Sequence, residues 1–318
     1  MSLRATEGER GNLLFDFDVL KLLRSFSAIL QASLAMTTAT QSLEGKIRWR
    51  GVNVRTDDDR FLQLAVAAAK EAGRIQMVRY GRKHEVQYKG EIDPVTDVDK
   101  LCERAVVGMI SKAFPDHDIL SEESFFEKKG SPWKWIIDPI DGTTNYIHEY
   151  PCFCVSVGLE LEGRMQLGVV YNPLLDELFQ AVKGMGTFFN GRKVTVSSRD
   201  KLDGSFLCTG FPYDVREHAD FYLKYFKAFI TRSFALRRPG SAVLDLCYVA
   251  AGRFDGFWEM RLHPWDVAAA SLMVTEAGGT VTDFAGNPYS IYSDELLASN
   301  GFIHEEMIRV MRELGDGR

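Results

Sequence analysis

One stretch constrains this chain more than any other: Trp135-Ile136-Ile137-Asp138-Pro139-Ile140-Asp141-Gly142-Thr143-Thr144-Asn145-Tyr146. An apolar run with the character of a buried strand ends in two acids, and a glycine and two hydroxyl residues follow. Asp138 and Asp141 end the strand, and Gly142-Thr143-Thr144 can open a helix, which puts carboxylates beside backbone N–H groups. Such a corner suits hard metal ions and a phosphate together. Asp138 is the acid least easily dismissed, because it follows Trp135-Ile136-Ile137 and is expected to be partly buried. A buried carboxylate needs a cation or several donors. The chemistry implied is metal-assisted hydrolysis of a phosphate ester.

That reaction sets a demanding standard. Unaided, phosphate monoesters hydrolyse so slowly that enzymes accelerate them by up to roughly 10²¹-fold. An isolated general base supplies only about 10²–10⁴-fold, whereas metal ions both generate the nucleophile and stabilise the leaving oxygen. An all-oxygen nest can be assembled from three pieces. Glu122 and Glu123 follow a short strand; Asp138 and Asp141 follow another, with the Ile140 carbonyl between them; and Asp266 sits in Pro264-Trp265-Asp266-Val267 at the start of an apolar helix. Pro139 fixes its own φ and restricts the residue before it. Mg²⁺ favours carboxylate, carbonyl and water shells of this kind. Taken singly, Asp266 reads equally as a helix-start acid favoured by the macrodipole, and Glu122 or Glu123 as a solvated loop acid.

Around these pieces the chain reads as α/β. A helix is expected from Asp57-Asp58-Asp59 to Gly81, a loop or hairpin over 89–97, and a second helix from Val98 to Ala113. Strands are expected at 118–120 and 133–137, and a hairpin of 153–160 with 165–171 turns at Glu162-Gly163. The second half alternates: helices at 221–230, 242–251, 264–277 and 302–314, and strands at 234–238, 254–258, 280–283 and 296–298. Hairpins first and alternation later imply helices layered between two sheets.

Composition narrows the rest. The 318 residues fit one large domain or two intimately packed ones, 46% are hydrophobic, and 38 basic against 44 acidic residues give a net charge of −6. That is not a nucleic-acid footprint, and no run is long enough to span a bilayer. Bound cations allow a net acidic enzyme to take an anionic substrate. Five cysteines without a C-x-x-C read as buried reduced thiols of a cytoplasmic protein, not a zinc site. Residues 1–56 differ from the body, residues 57–318, and are expected to be a dispensable or poorly ordered extension; Glu7, Glu9, Asp16 and Asp18 argue against a secretory or transit signal.

Glu122-Glu123-Ser124, the Asp138–Tyr146 run and Trp265-Asp266-Val267-Ala268-Ala269-Ala270 together resemble the three motifs of the inositol monophosphatase family, over about residues 57–318. The resemblance implies a layered αβαβα sandwich and a Mg²⁺-dependent, lithium-sensitive phosphatase, usually a homodimer. It implies that Glu122, Asp138 and the Ile140 carbonyl hold one Mg²⁺, that Asp138, Asp141 and Asp266 hold a second, and that a third, weaker ion leans on Glu122. Gly142 and Thr143 would offer backbone N–H groups to the phosphate, and Thr143 and Asp99 would orient the attacking water. Asp99 lies in Thr96-Asp97-Val98-Asp99, matching the family's Thr-x-x-Asp element, and also reads as a helix N-terminal acid. Lys89 matches a lysine near the phosphate, although the spacing is one residue shorter than the commonest pattern. Ser121 stands where the family usually has glycine, and His263-Pro264 precedes Trp265 where proline is not typical.

For substrate choice, Glu259 falls where relatives that take inositol phosphates carry an acid for ring hydroxyls, and also reads as a strand-end surface acid. Asp214, Arg238, Gly240, Ser241 and Ala242 are candidates for the same pocket. Thr144-Asn145 favours the inositol branch over the nucleotide-phosphate branch. The leading expectation is hydrolysis of myo-inositol 1-phosphate or a similar small polyol phosphate, with no direct nucleic-acid or membrane partner. Histidinol phosphate is the alternative with the same chemistry and a sugar bisphosphate the third; a regulatory binding protein of the transcription machinery is the alternative of a different class. His148 and His263 read as packing or surface residues, and Trp265 as core support.

Overall fold

The computed structural model describes residues 56–123 and 126–315. The expectation for the N-terminal extension falls on residues outside the described ones except at its last position, and so does Ser124 of the acidic motif.

Helix α1 (Thr56–Arg79) places Phe61, Ala65, Ala68 and Ala72 at helical spacing, all buried. Strands β1 (Val86–Tyr88) and β2 (Pro94–Thr96) form an antiparallel hairpin leading into α2 (Asp97–Ala113). Next come β3 (Asp118–Ser121), β4 (Phe126–Glu127), β5 (Trp133–Asp141) and the single turn α3 (Thr143–Ile147). A run of strands follows: β6 (Cys154–Leu161), β7 (Arg164–Asn172), β8 (Glu177–Val182), β9 (Gly186–Phe189) and β10 (Arg192–Val194). Together these make an eight-stranded sheet of order β10-β9-β8-β7-β6-β5-β3-β4, antiparallel except for the β3–β5 pair.

A five-stranded sheet, β12-β11-β13-β15-β14, is formed by β11 (Phe206–Thr209), β12 (Ala235–Arg237), β13 (Gly256–Met260), β14 (Thr280–Thr282) and β15 (Glu295–Ser299). Four helices accompany it: α4 (Ala219–Ile230), α5 (Ala242–Ala250), α6 (Pro264–Glu276) and α7 (His304–Glu313). Helices α5 and α6 lie between the sheets, their Val243, Leu246, Ala269 and Met273 sharing one core with Val170 and Phe179 of the large sheet and Cys208 and Phe257 of the small one. Burial between two apolar faces is why both helices are hydrophobic almost all round. Helices α1 and α2 cover the far face of the large sheet, and Tyr222, Phe229, Met307 and Met311 of α4 and α7 cover the small one. The result is the layered αβαβα sandwich.

Helix α6 rests directly on the large sheet: a β-carbon at Gly168 would stand 2.5 Å from the Ala269 carbonyl. This close approach brings the first turn of α6, with Asp266, to the end of β5. All five cysteines are free and buried, and among the described residues no helix is long and apolar enough to cross a membrane.

Several boundaries differ from the sequence expectation: β5 runs on to Asp141, past the expected 133–137, strand β11 falls where none is expected, and two further shifts have a side-chain cause. The strand expected over 254–258 lies at Gly256–Met260, because Asp255 turns its carboxylate onto the Ser197 hydroxyl and the Phe206 N–H, at 2.5 and 2.6 Å. The last helix starts at His304 instead of Phe302, because Asn300 Oδ1 accepts the N–H groups of Phe302 and Ile303, at 3.0 and 3.2 Å, and holds a turn there.

Candidate active site

The cleft forms where β5 ends. Pro139 interrupts the ladder: pairing with β6 is regular to Asp138, then shifts before resuming at Asp141. The irregularity is held in place by buried Gln76 of α1, whose Nε2 donates to the Pro139 carbonyl at 2.8 Å. Gly142 then takes a left-handed conformation, φ +87°, and a β-carbon there would lie 2.7 Å from the Cys152 carbonyl. Asn145 ties the corner to the second half of the chain, donating to the carbonyls of Cys152, Pro239 and Gly240 at 2.7, 3.0 and 3.1 Å.

Oxygen atoms of Asp138, Asp141 and Asp266 lie within 4.8 Å of one another. Residues from β5 and from a helix more than 120 positions later therefore share one cavity. Asp138 is buried and accepts the Ile140 N–H at 2.9 Å. Asp141 accepts from the Ser241 hydroxyl and, at 3.0 Å, from the Val243 N–H, both at the start of α5. Asp266 accepts the His263 N–H at 2.7 Å, with Pro264 at the first helical position as expected. Glu122 stands one step outside this trio: its carboxyl hydrogen-bonds Asp138, and Lys89 Nζ donates to it at 2.9 Å.

The electrostatics follow from crowding. Burial, then neighbouring carboxylates, hold Asp138 and Asp266 well above the usual carboxylate range. Burial also pushes Asp141 up to about 6, despite the donors from Ser241, Val243 and Ala242. Glu122 rises to about 7 from burial, against the opposing pull of Lys89. Carboxylates packed like this need protons or cations to neutralise them. The oxygen-only donor set, without a thiolate or imidazole, fits Mg²⁺ by size and hardness.

Next to the trio, Thr143 Oγ1 donates to Asp99 Oδ1 and the Ile140 carbonyl, at 3.1 and 2.9 Å. Asp99 is fully buried, and burial lifts its carboxyl to about 6. Its other oxygen, Oδ2, accepts the Thr96 N–H at 2.8 Å and the Thr96 hydroxyl at 2.5 Å, completing a capping box on α2. The two sequence readings of Asp99 are thus compatible: one oxygen caps a helix and the other faces Thr143.

Lys89 sits in the β1–β2 hairpin with its ammonium between Glu122 and Glu123, the latter at 2.7 Å. The Glu123 side chain is buried, and its own N–H donates to Glu103 at 3.1 Å. Sequence reasoning gave Glu123 no role beyond pairing with Glu122, and no local signal marks it, because Lys89 has Glu91 and Asp93 nearer in sequence.

On the other wall, Glu259 lies inside β13, and burial pushes it up to about 8, with Arg238 acting against that. Glu259 falls inside the displaced strand, half-buried, and a β-carbon at neighbouring Gly210 would collide with its carboxylate. Gly240 abuts Asn145 and Arg238, and Ala242 opens α5. Ser241, expected to line the pocket, directs its hydroxyl onto Asp141. Asp214 is engaged by Arg261, by Tyr222 at 2.8 Å and by His218 at 3.7 Å. His148 and His263 are exposed, and Trp265 packs on the core.

Comparison with known proteins agrees with this architecture. The model of the inositol monophosphatase family matches residues 57–316. The chain is 42% identical over 260 residues to Nus factor SuhB of Escherichia coli K12, covering 80% of this chain and 97% of that one. Among solved structures, the extragenic suppressor protein SuhB from Bartonella henselae superposes with a TM-score of 0.77 at 40% identity, covering 81% of this chain and all of that one. Inositol monophosphatase from Anabaena superposes with a TM-score of 0.74 at 41% identity, covering 81% and 97%. Fold, motif order and matched length together identify the chain as a member of the inositol monophosphatase family.

Proposed function

We propose that this protein is a Mg²⁺-dependent phosphatase of small polyol phosphate monoesters, with myo-inositol 1-phosphate as its leading substrate. The observation that carries the reading is the convergence of Asp138, Asp141 and Asp266 within 4.8 Å, beside the Thr143–Asp99 pair. Asp138, Asp141, Asp266 and Glu122, with the Ile140 carbonyl, would hold two or three ions. Bound there, they supply Lewis-acid neutralisation of the ester oxygens and lower the cost of forming hydroxide.

The chain's own groups do the rest. Backbone N–H groups of Gly142 and Thr143 receive phosphate oxygens, and Lys89 adds a positive charge at the same edge. Thr143 Oγ1 orients the attacking water, and Asp99 Oδ1 takes up the proton passed through that hydroxyl. Glu259 accepts hydrogen bonds from hydroxyls of the leaving alcohol. Free buried cysteines support a reducing, cytoplasmic setting, and the family likeness supports a homodimer.

The test is phosphate release from myo-inositol 1-phosphate, histidinol phosphate and fructose 1,6-bisphosphate, each with Mg²⁺ and with chelator. The expected result is Mg²⁺-dependent release with the highest kcat/KM on the inositol ester. Absence of release from every ester at saturating Mg²⁺ overturns the reading. The likeness to proteins named Nus factor SuhB favours a second role, binding to the transcription machinery. Co-purification with RNA polymerase by a protein that also hydrolyses the ester would establish both.

A further inference from the structure

At the end of the small sheet away from the cleft lies a groove that the proposed reaction does not use. Strands β11 and β13 run parallel, and beyond their C-terminal ends Gly210 meets Glu259 at the cleft wall. At their N-terminal ends Phe206 and Asp255 line an open groove of about 570 Å³. β12 is the outermost strand of that sheet, and its Ala235 and Arg237 border the groove together with Phe234. Phe234 is 79% exposed, the highest value among the described large hydrophobic residues. Three arginines, Arg199, Arg237 and Arg253, line the same groove, and all three are exposed. Aromatic rings hold two of them: the Arg237 guanidinium stands 5.0 Å from the Phe206 centroid, and that of Arg253 4.9 Å from the Phe189 centroid. Arg199 lies along Gly204, where a β-carbon would stand 3.3 Å from its Cδ. Among the described residues Arg253 pairs with Glu177 at 2.7 Å, whereas Arg199 and Arg237 form no ion pair. The lining also holds two acids: Asp255 is spent on the Ser197 hydroxyl and the Phe206 N–H, at 2.5 and 2.6 Å, and Asp200 is exposed.

Two guanidinium groups without an ion pair, beside a bare aromatic ring, match a ligand that carries both negative charge and an apolar group. Arginine and aromatic residues together are also the composition that marks protein interfaces. A long polyanion fits poorly: the chain carries a net charge of −6, so nucleic acid would meet repulsion beyond the groove, and Asp200 and Asp255 within it. Spaced carboxylates fit better, because a planar guanidinium pairs a carboxylate through two parallel N–H donors. The groove also runs beside an outermost strand, where extended segments dock. We propose that this groove is a docking site for a short acidic segment of a partner protein, with carboxylates on Arg199 and Arg237 and an aromatic or aliphatic side chain on Phe234. The inference stands apart from the phosphatase reading, because no residue of the groove belongs to the cleft.

The probe is a fluorescein-labelled peptide, Glu-Asp-Phe-Glu-Asp-Leu, titrated with the full chain and read by fluorescence anisotropy. The expected result is saturable binding that weakens about tenfold when Arg199→Gln and Arg237→Gln are combined, the scale of losing a hydrogen bond between charged groups. Phe234→Ser should weaken it several-fold, and a peptide with serine in place of phenylalanine and leucine should bind more weakly and be indifferent to that substitution. Removing two exposed arginines elsewhere, Arg104→Gln with Arg164→Gln, should leave binding unchanged. No binding of the peptide, binding that the groove substitutions do not alter, or equal weakening by the distant pair would overturn the proposal. Tighter binding of a single-stranded oligouridylate of equal charge would overturn the assignment to a peptide. The substituted side chains are exposed, so the fold is expected to be kept, with circular dichroism and Tm as the check. Ester hydrolysis should be unchanged in these variants; its loss in step with peptide binding would make the groove part of the cleft and overturn the proposal, whereas a chain that binds the peptide and hydrolyses no ester overturns only the phosphatase reading.

Discussion

At the large-sheet wall of the cleft each acid is held by donors close to hand, whereas at the small-sheet wall Asp245 is buried with one carboxyl oxygen unpartnered. Asp141 is gripped by Ser241 and Val243, Asp99 by Thr96, and Asp138 by the Ile140 N–H. The difference teaches where rigidity is needed. Groups proposed to hold cations and a transferred proton must be fixed before the substrate arrives, because misplacement there raises the barrier directly. Groups proposed to greet the leaving alcohol need an open hydrogen-bonding face instead.

Three measurements would break or sharpen this contrast. The largest effect is expected at the large-sheet wall: Asp138→Asn should lower kcat by about 10³-fold or more, on the scale of losing a preorganised electrostatic group, while circular dichroism shows an intact fold. Near-normal turnover with Mg²⁺ would dissolve the contrast. A smaller effect is expected one layer back. Ser241→Ala frees Asp141 from its hydroxyl donor and should weaken Mg²⁺ binding by about 10–100-fold, read by calorimetric titration; unchanged affinity would show that Val243 alone suffices.

The smallest effect is a pH dependence of stability. Asp99 and Asp141 are pushed up to about 6, and Glu122 and Glu123 to about 7, each chiefly by burial. Between the ordinary carboxylate range near ~4 and these values, the folded, metal-stripped protein binds more protons than the unfolded chain, so its stability falls as pH rises through about 4–7. Mg²⁺ should reverse the loss, raising Tm more at pH 8 than at pH 5, with each ~1 kcal/mol seen as about 2–4 °C. An equal Mg²⁺ shift at both pH values would remove the crowded-acid account.

Much of this was legible in the residues. The Trp135–Tyr146 run announces a strand ending in acids because buried bulk, a proline and a glycine each permit few backbones there. Thr96-x-x-Asp99 is readable as a capping box from spacing alone. The hairpin at Glu162-Gly163 follows from alternation and turn chemistry. By contrast, the end of β13 could not be placed, because Asp255 is spent on Phe206, a partner 49 residues away. Ser241 looked like a pocket residue, since nothing local reveals that its hydroxyl reaches back 100 positions to Asp141.

The sequence by itself determined which chemistry is available: oxygen donors in three motifs, a glycine that alone tolerates φ +87°, and a hydroxyl–acid pair at a helix start. Those are short-range matters of residue type, backbone sterics and spacing. Only the tertiary structure decided which donor holds which acid, that Lys89 bridges Glu122 and Glu123, and that Asp245 is buried with an oxygen unpartnered. These depend on how α5 and α6 are sandwiched between two sheets, where packing, not local propensity, fixes the distances across which charges act.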